Sequence, residues 1–83
     1  MEIDRASPVP PYRQIAAFLR AAILRGDFAP GSRLPGVEQT VQEWGVARTT
    51  ARKALAAVRD EGWSFASVGL GYYVAPQEQW PQT

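Results

Sequence analysis

Eighty-three residues with 46% apolar and 11% aromatic content make one small folded domain, and a chain of this size buries only about 60% of the surface its unfolded form exposes. Cysteine and histidine are both absent, which excludes disulfides, the commonest zinc ligands and most nucleophile–base arrangements. The net charge of +1 is polarised: residues 1–60 hold all nine basic side chains against six acids, a balance of +3, while residues 61–83 hold Glu61 and Glu78 and no Lys or Arg, a balance of −2, so an anionic partner meets the first part of the chain.

The lead, residues 1–10, carries acids where a signal peptide has a basic segment, and no apolar run approaches the ~20 residues that cross a bilayer. A cytoplasmic location with no membrane partner is expected. After Pro8, Pro10 and Pro11, the run YRQIAAFLRAAILRG places Tyr12, Ile15, Leu19, Ala22 and Ile23 at three- and four-residue steps, with Phe18 widening the stripe. This spacing predicts an amphipathic helix that starts at proline and ends at Gly26. Arg13, Arg20 and Arg25 fall off the stripe and read as solvated cations. In the connector DFAPGSRLPG, Pro30-Gly31 is a turn and Leu34-Pro35 is extended, with room for one short strand.

A second helix is predicted over Val37–Trp44, with Gly36 as its N-cap, Gly45 past its end, and Val37, Val41 and Trp44 as anchors. Val46 sits in a tight turn, and a third helix runs from Ala47 or Arg48 to Glu61, stopped by Gly62. Its apolar residues Ala51, Ala54, Leu55 and Val58 stand at i, i+3, i+4 and i+7, so they form a buried stripe. Arg48, Thr49, Arg52, Lys53 and Arg59 are thereby turned to the opposite side. WSFAS and YYV, separated by VGLG, read as a hairpin. Ile15, Leu19, Leu55, Val58, Trp63 and Phe65 are the expected core. The tail, residues 76–83, reads as irregular.

Three helices, a tight turn between the second and third, and a two- or three-stranded wing, all within residues 11–75, predict a mainly α winged helix-turn-helix with a small β-hairpin. In that architecture the third helix, residues 48–61, enters the major groove by its N-terminal residues Arg48, Thr49, Thr50, Arg52 and Lys53. Arginine pairs bidentately with guanine, and both cation types hold phosphates. Arg33 is either a solvated cation or a contact to the passing backbone. Gly69 and Gly71 serve turn geometry and are the DNA-facing candidates of the wing. Val68, Leu70, Tyr72 and Trp80 either pack on the helical body or form an apolar patch for a partner chain, a second copy included. No cofactor or metal is expected, and the acids Glu38, Glu43, Asp60 and Glu61 lack the partners a catalytic site requires.

Residues 8–75 resemble the DNA-binding domain of GntR-type bacterial transcription regulators. YRQIAAFLRAAILRGDFAPGSRLPG is similar to the family's Y-x-Q-I helix followed by I-x-x-G-x-x-x-P-G-x-x-L-P. GVARTTARKAL is similar to G-V-S-R-T-T-V-R-K-A-L, and EGW with GLGYYV to E-G-L and the wing G-x-G-T-F-V. The resemblance implies that Arg48 and Arg52 contact DNA and that Thr49 and Thr50 help hold its backbone. Several positions depart from the pattern. Glu38 replaces a cation that commonly contacts DNA, Thr40 a core leucine, and Ala47 a serine that caps the recognition helix, a loss near ~1 kcal/mol. The wing tip Val68-Gly69-Leu70 is uncharged, and Tyr72 replaces threonine.

The expectation is a sequence-specific regulator, a repressor or accessory factor, that binds double-stranded DNA. The alternative is a winged helix turned protein-interaction module, with weak DNA binding and an apolar wing as its contact surface. Regulators of this type usually continue into a ligand-binding, dimerising domain. A chain that stops at Thr83 is therefore expected to act alone, through wing and tail, or to be the N-terminal domain of a larger regulator.

Overall fold

The computed structural model describes residues 2–81; Met1 of the lead and Gln82 and Thr83 of the tail lie outside the described residues. Three helices are followed by a hairpin: α1 Pro11–Arg25, α2 Val37–Trp44, α3 Arg48–Asp60, β1 Ser64–Ser67 and β2 Gly71–Val74. This is the mainly α winged helix-turn-helix that the sequence order predicts. Pro11 opens α1, where its missing N–H is one that would lack a helical partner anyway. At the other end the Gly26 N–H donates to the Ile23 carbonyl at 3.1 Å and the Asp27 N–H to the Ala22 carbonyl at 2.9 Å.

The core forms where α1 and α3 face each other. Ile15, Leu19 and Ile23 meet Ala54, Leu55 and Val58, and Leu34 and Val74 close the cluster from the connector and the wing. All four residues of the predicted α3 stripe are fully buried. Each large aliphatic side chain in this cluster contributes on the order of 1.5–3 kcal/mol by leaving water. With Leu55 and Val58 inward, the cationic residues of α3 have only the solvent side left to occupy.

α2 is held differently. Its one fully buried side chain is Thr40, whose hydroxyl donates to the Gly36 carbonyl at 2.8 Å. A buried hydroxyl without a partner carries a desolvation penalty, and the back-bond within the helix offsets it. Phe18 of α1 meets Trp44 edge-on, with ring centroids 5.3 Å apart, and fastens the other end of α2.

The connector's short strand is reduced to one bridge, Arg33 with Tyr73. Around it the Leu34 N–H donates to the Tyr72 carbonyl and the Val74 N–H to the Ser32 carbonyl, both at 2.8 Å. The Gly31 turn on one side and Pro35, which has no N–H, on the other stop the pairing from extending. The sheet proper has two strands, in the register Ser64–Val74, Phe65–Tyr73, Ala66–Tyr72 and Ser67–Gly71.

Phe65 departs from the sequence reading. Ser64 and Val74 are the core-facing pair, so strand alternation turns Phe65 to the outer face, where it is 44% exposed and stacks on Tyr73. Trp63 alone of the two aromatics is core. The tail is also more ordered than expected. A 3-10 turn at Gln77–Gln79 brings Trp80 back onto Trp63, with ring centroids 5.7 Å apart, and the Trp80 indole N–H donates to the Ala75 carbonyl at 2.8 Å. The lead folds down as well: the Gln14 amide donates to the carbonyls of Asp4 and Val9 and accepts from the Asp4 N–H, each at 2.9 Å. Among the described residues no helix is long and apolar enough to cross a membrane.

Candidate nucleic-acid interface

α2 and α3 are joined by only Gly45, Val46 and Ala47, so the first residues of α3 emerge beside α2. Ala47 occupies the N-cap position with extended backbone and no side-chain hydrogen bond to the helix. The first N–H groups of α3 therefore lack a side-chain acceptor and stay available as donors to an anion. Arg48 and Arg52, one turn apart, are both exposed at this end.

Arg33 reaches the same place from the connector. Together with Glu38, Gln39, Phe28 and residues 34–37, the three arginines line an open concavity of about 660 Å³ between the connector, the start of α2 and the start of α3. The wing adjoins it through Gly71. A Cβ at that position would stand 3.2 Å from Arg33 Nε and 3.3 Å from Nη2, so the guanidinium lies directly over the glycine. Gly71 has φ +104°, a backbone conformation open to glycine and strained for other residues. Gly69, at the tip with φ +73°, has open space around it.

The cations divide by partner. Arg20, Arg25 and Arg59 pair with Glu61 at 3.1 Å, Asp27 at 2.8 Å and Asp60 at 3.0 Å, and none of the three lines the concavity. Arg48 pairs with Glu38, and both side chains remain more than half exposed. Among the described residues Arg33, Arg52 and Lys53 have no salt bridge. Lys53, however, is drawn toward α1, where its ammonium lies 5.6 Å from the centre of the Tyr12 ring. The Tyr12 hydroxyl in turn accepts from Arg13 Nε at 3.3 Å, and that bond raises the Arg13 guanidinium above its ordinary value.

The structure thus brings Arg33, Arg48 and Arg52 together, places exposed Thr49 and half-buried Thr50 at the same helix end, and sends Lys53 sideways. Of the four residues proposed for a partner surface, Val68 is fully exposed and Leu70 59% exposed, whereas Tyr72 and Trp80 are half-buried against the core. Two features escaped the sequence reading. Phe28 and Gln39 line the concavity without any periodic or charge signal, and Arg33 is seated by Gly71, thirty-eight positions away.

A short helix, a tight turn, a second helix with a cationic N-terminal end and a hairpin alongside define a winged helix-turn-helix of the DNA-binding type, a fold built for binding rather than catalysis. Residues 11–74 match the family described as bacterial regulatory proteins, gntR family. The chain belongs to that family.

Relatives agree with this. The chain is 33% identical over 75 residues to the HTH-type transcriptional repressor NagR of Bacillus subtilis, covering 90% of this chain and 31% of the repressor. It is 40% identical over 65 residues to the mannosyl-D-glycerate transport/metabolism system repressor MngR of Escherichia coli, covering 78% of this chain and 27% of that protein. The chain therefore spans less than a third of the length of these relatives. Among solved structures, YtrA from Sulfolobus acidocaldarius, a GntR-family transcription factor, superposes with a TM-score of 0.85 at 31% identity, over 96% of this chain and 71% of that one. The AraR DNA-binding domain in complex with operator ORX1 gives 0.83 at 26% identity, over 90% and 95% of the two chains.

Proposed function

We propose that this chain binds double-stranded DNA sequence-specifically as part of a transcription regulator, most simply a repressor, with α3 in the major groove. The observation that carries the reading is the convergence of Arg33, Arg48 and Arg52 on one open concavity at the start of α3, next to the wing. Arg48 and Thr49 face the base edges, where a guanidinium fork pairs with guanine. Arg33, Arg52, Thr50 and the backbone at Gly69 and Gly71 lie against phosphates, and Lys53 joins them by leaving the Tyr12 ring. The AraR DNA-binding domain, similar in fold over nearly its whole length, was solved in complex with an operator, which supports the DNA-binding reading.

Fluorescence anisotropy with a duplex pool enriched from random sequence tests the reading. Affinity falls with salt at about −0.9 per phosphate neutralised, and Arg52→Ala weakens binding. An affinity indifferent to salt and to Arg52 refutes it.

A second reading is favoured by one observation, the exposure of Val68 and Leu70 at an uncharged wing tip. On that reading the tip contacts a protein, a second copy of the chain included. Val68→Asp and Leu70→Asp dissolve the complex while Arg52→Ala leaves it intact. Tyr72→Asp is unsuitable here, because Tyr72 packs against the core and its loss would unsettle the fold.

A further inference from the structure

Glu38 is the one carboxylate lining the concavity, and it is paired with Arg48 across the gap between α2 and α3. It stands in the first turn of α2, where the helix dipole favours a negative charge. With both side chains 56% and 64% exposed, the pair adds little to stability. Its consequence lies in what it does to Arg48. That residue opens α3, the position from which a groove-entering helix reaches bases. A guanidinium has five N–H donors in a fixed plane, so holding Nη2 against the carboxylate biases the direction of the fork and leaves its other donors unmet. The same carboxylate cancels the charge that a phosphate would feel. Arg33 and Arg52, on the same concavity, have no such partner among the described residues.

We infer that Glu38 is a specificity-determining positioning residue. By pairing with Arg48 it withdraws that arginine from sequence-independent attraction to phosphates and presents it in one orientation to base edges. Arg33 and Arg52 then supply the general electrostatic attraction, and Arg48 supplies discrimination. The inference rests on the DNA-binding reading above.

The test compares wild type, Glu38→Gln, Arg48→Ala and the double variant, using duplexes enriched from a random pool by wild type and a scrambled duplex of equal composition. Both positions are exposed, and thermal melts confirm that each variant stays folded. Glu38→Gln tightens binding to the scrambled duplex and steepens its salt slope by about 0.9, one more phosphate neutralised. The ratio of specific to non-specific affinity drops at least about fivefold, the lower range of one bidentate base contact. In the Arg48→Ala background, Glu38→Gln produces neither change.

An equal gain in both backgrounds overturns the inference, because Glu38 would then act by plain repulsion of phosphates. An unchanged specificity ratio overturns it too, with DNA binding itself left standing. A wild-type chain without affinity for any duplex overturns the DNA-binding reading and this inference with it.

Discussion

Replacing Gly71 and Gly69 by alanine, one at a time, separates the wing's role in stability from its role in seating Arg33. Both glycines have positive φ, +104° and +73°. An L-residue in the left-handed region costs about 1–2 kcal/mol, and Gly71 lies further out, where about 1–3 kcal/mol is usual. For a domain of this size each kcal/mol lowers Tm by about 4–8 °C, so both variants melt measurably below wild type. The surroundings then distinguish them. Nothing lies within 4 Å of a Cβ at Gly69, whereas at Gly71 the methyl would stand 3.2 Å from Arg33 Nε. The far end of a flexible side chain yields before the backbone does, so the crowding at Gly71 is relieved by a shift of a few tenths of an ångström in the Arg33 guanidinium. Circular dichroism melts report the strain, and anisotropy at several salt concentrations, below the melting range, reports the site. Gly69→Ala keeps the wild-type salt slope. Arg33→Ala loses about 0.9 of it, whereas Gly71→Ala, which keeps the cation and shifts it by a few tenths of an ångström, keeps the slope and weakens affinity, an effect that disappears in the Arg33→Ala background. If Gly69→Ala weakens affinity as much, or if Gly71→Ala leaves it intact or weakens it equally without Arg33, Arg33 is not positioned by the wing and the argument fails.

Three further substitutions probe the packing. Ala47→Ser supplies the missing acceptor at the α3 N-cap, an exposed position with extended backbone, and raises stability by about 1 kcal/mol, read as a higher urea midpoint with unchanged m-value. Ser64 Oγ is buried with no hydrogen-bond partner, so Ser64→Ala is neutral or raises stability by up to about 1 kcal/mol; a clear loss in the same titration would mean that the hydroxyl has a partner in solution. Trp80→Ala removes the ring that covers Trp63 and the bond to the Ala75 carbonyl. A half-buried indole in that setting is worth about 1–3 kcal/mol, and an unchanged melting curve and near-ultraviolet spectrum would show that the tail does not stay docked.

The helices were legible because their signals are local. Proline at the start of α1, glycine after α1 and α2, and the i, i+3, i+4, i+7 stripe of α3 each act within one or two turns, and each boundary fell within a residue of its expected place. Phe65 was misplaced because hydrophobicity alone does not say which face of a strand is inward; the pairing of Ser64 with Val74 does. A buried serine beside an exposed phenylalanine inverts the usual order of burial, and only the register reveals it. Trp80 was ambiguous for a similar reason. Its contacts depend on a single 3-10 turn in a segment with no periodicity. At the candidate interface the sequence marked Arg48 and Arg52 by position on a helix, and Arg33 only by its nearness to Leu34-Pro35. What it did not carry was partnership. Lys53 shares the helix and the charge of the two arginines, yet Tyr12, forty-one positions earlier, draws it aside.

Partnership also sets how strongly this interface attracts a polyanion. Three arginines against Glu38 leave the concavity a balance of +2, and Arg33 and Arg52 are the two whose charge is not already matched. Two phosphates neutralised there, and a third by Lys53 once it leaves the Tyr12 ring, correspond to a salt slope of about −2.7 per copy, shallow beside proteins that make 6–10 such contacts. The uncharged tip at Val68 and Leu70 adds nothing to this term. A single module buries only about 600–1,000 Å² on DNA. On the DNA-binding reading proposed above, so small an electrostatic share leaves occupancy at physiological salt to base contacts and calls for a second module on an adjacent half-site, one helical turn away or a multiple of it. Wild-type binding should accordingly be strong only on duplexes with two copies of the enriched sequence, and shortening such a duplex to one copy should cost far more affinity than halving the number of sites.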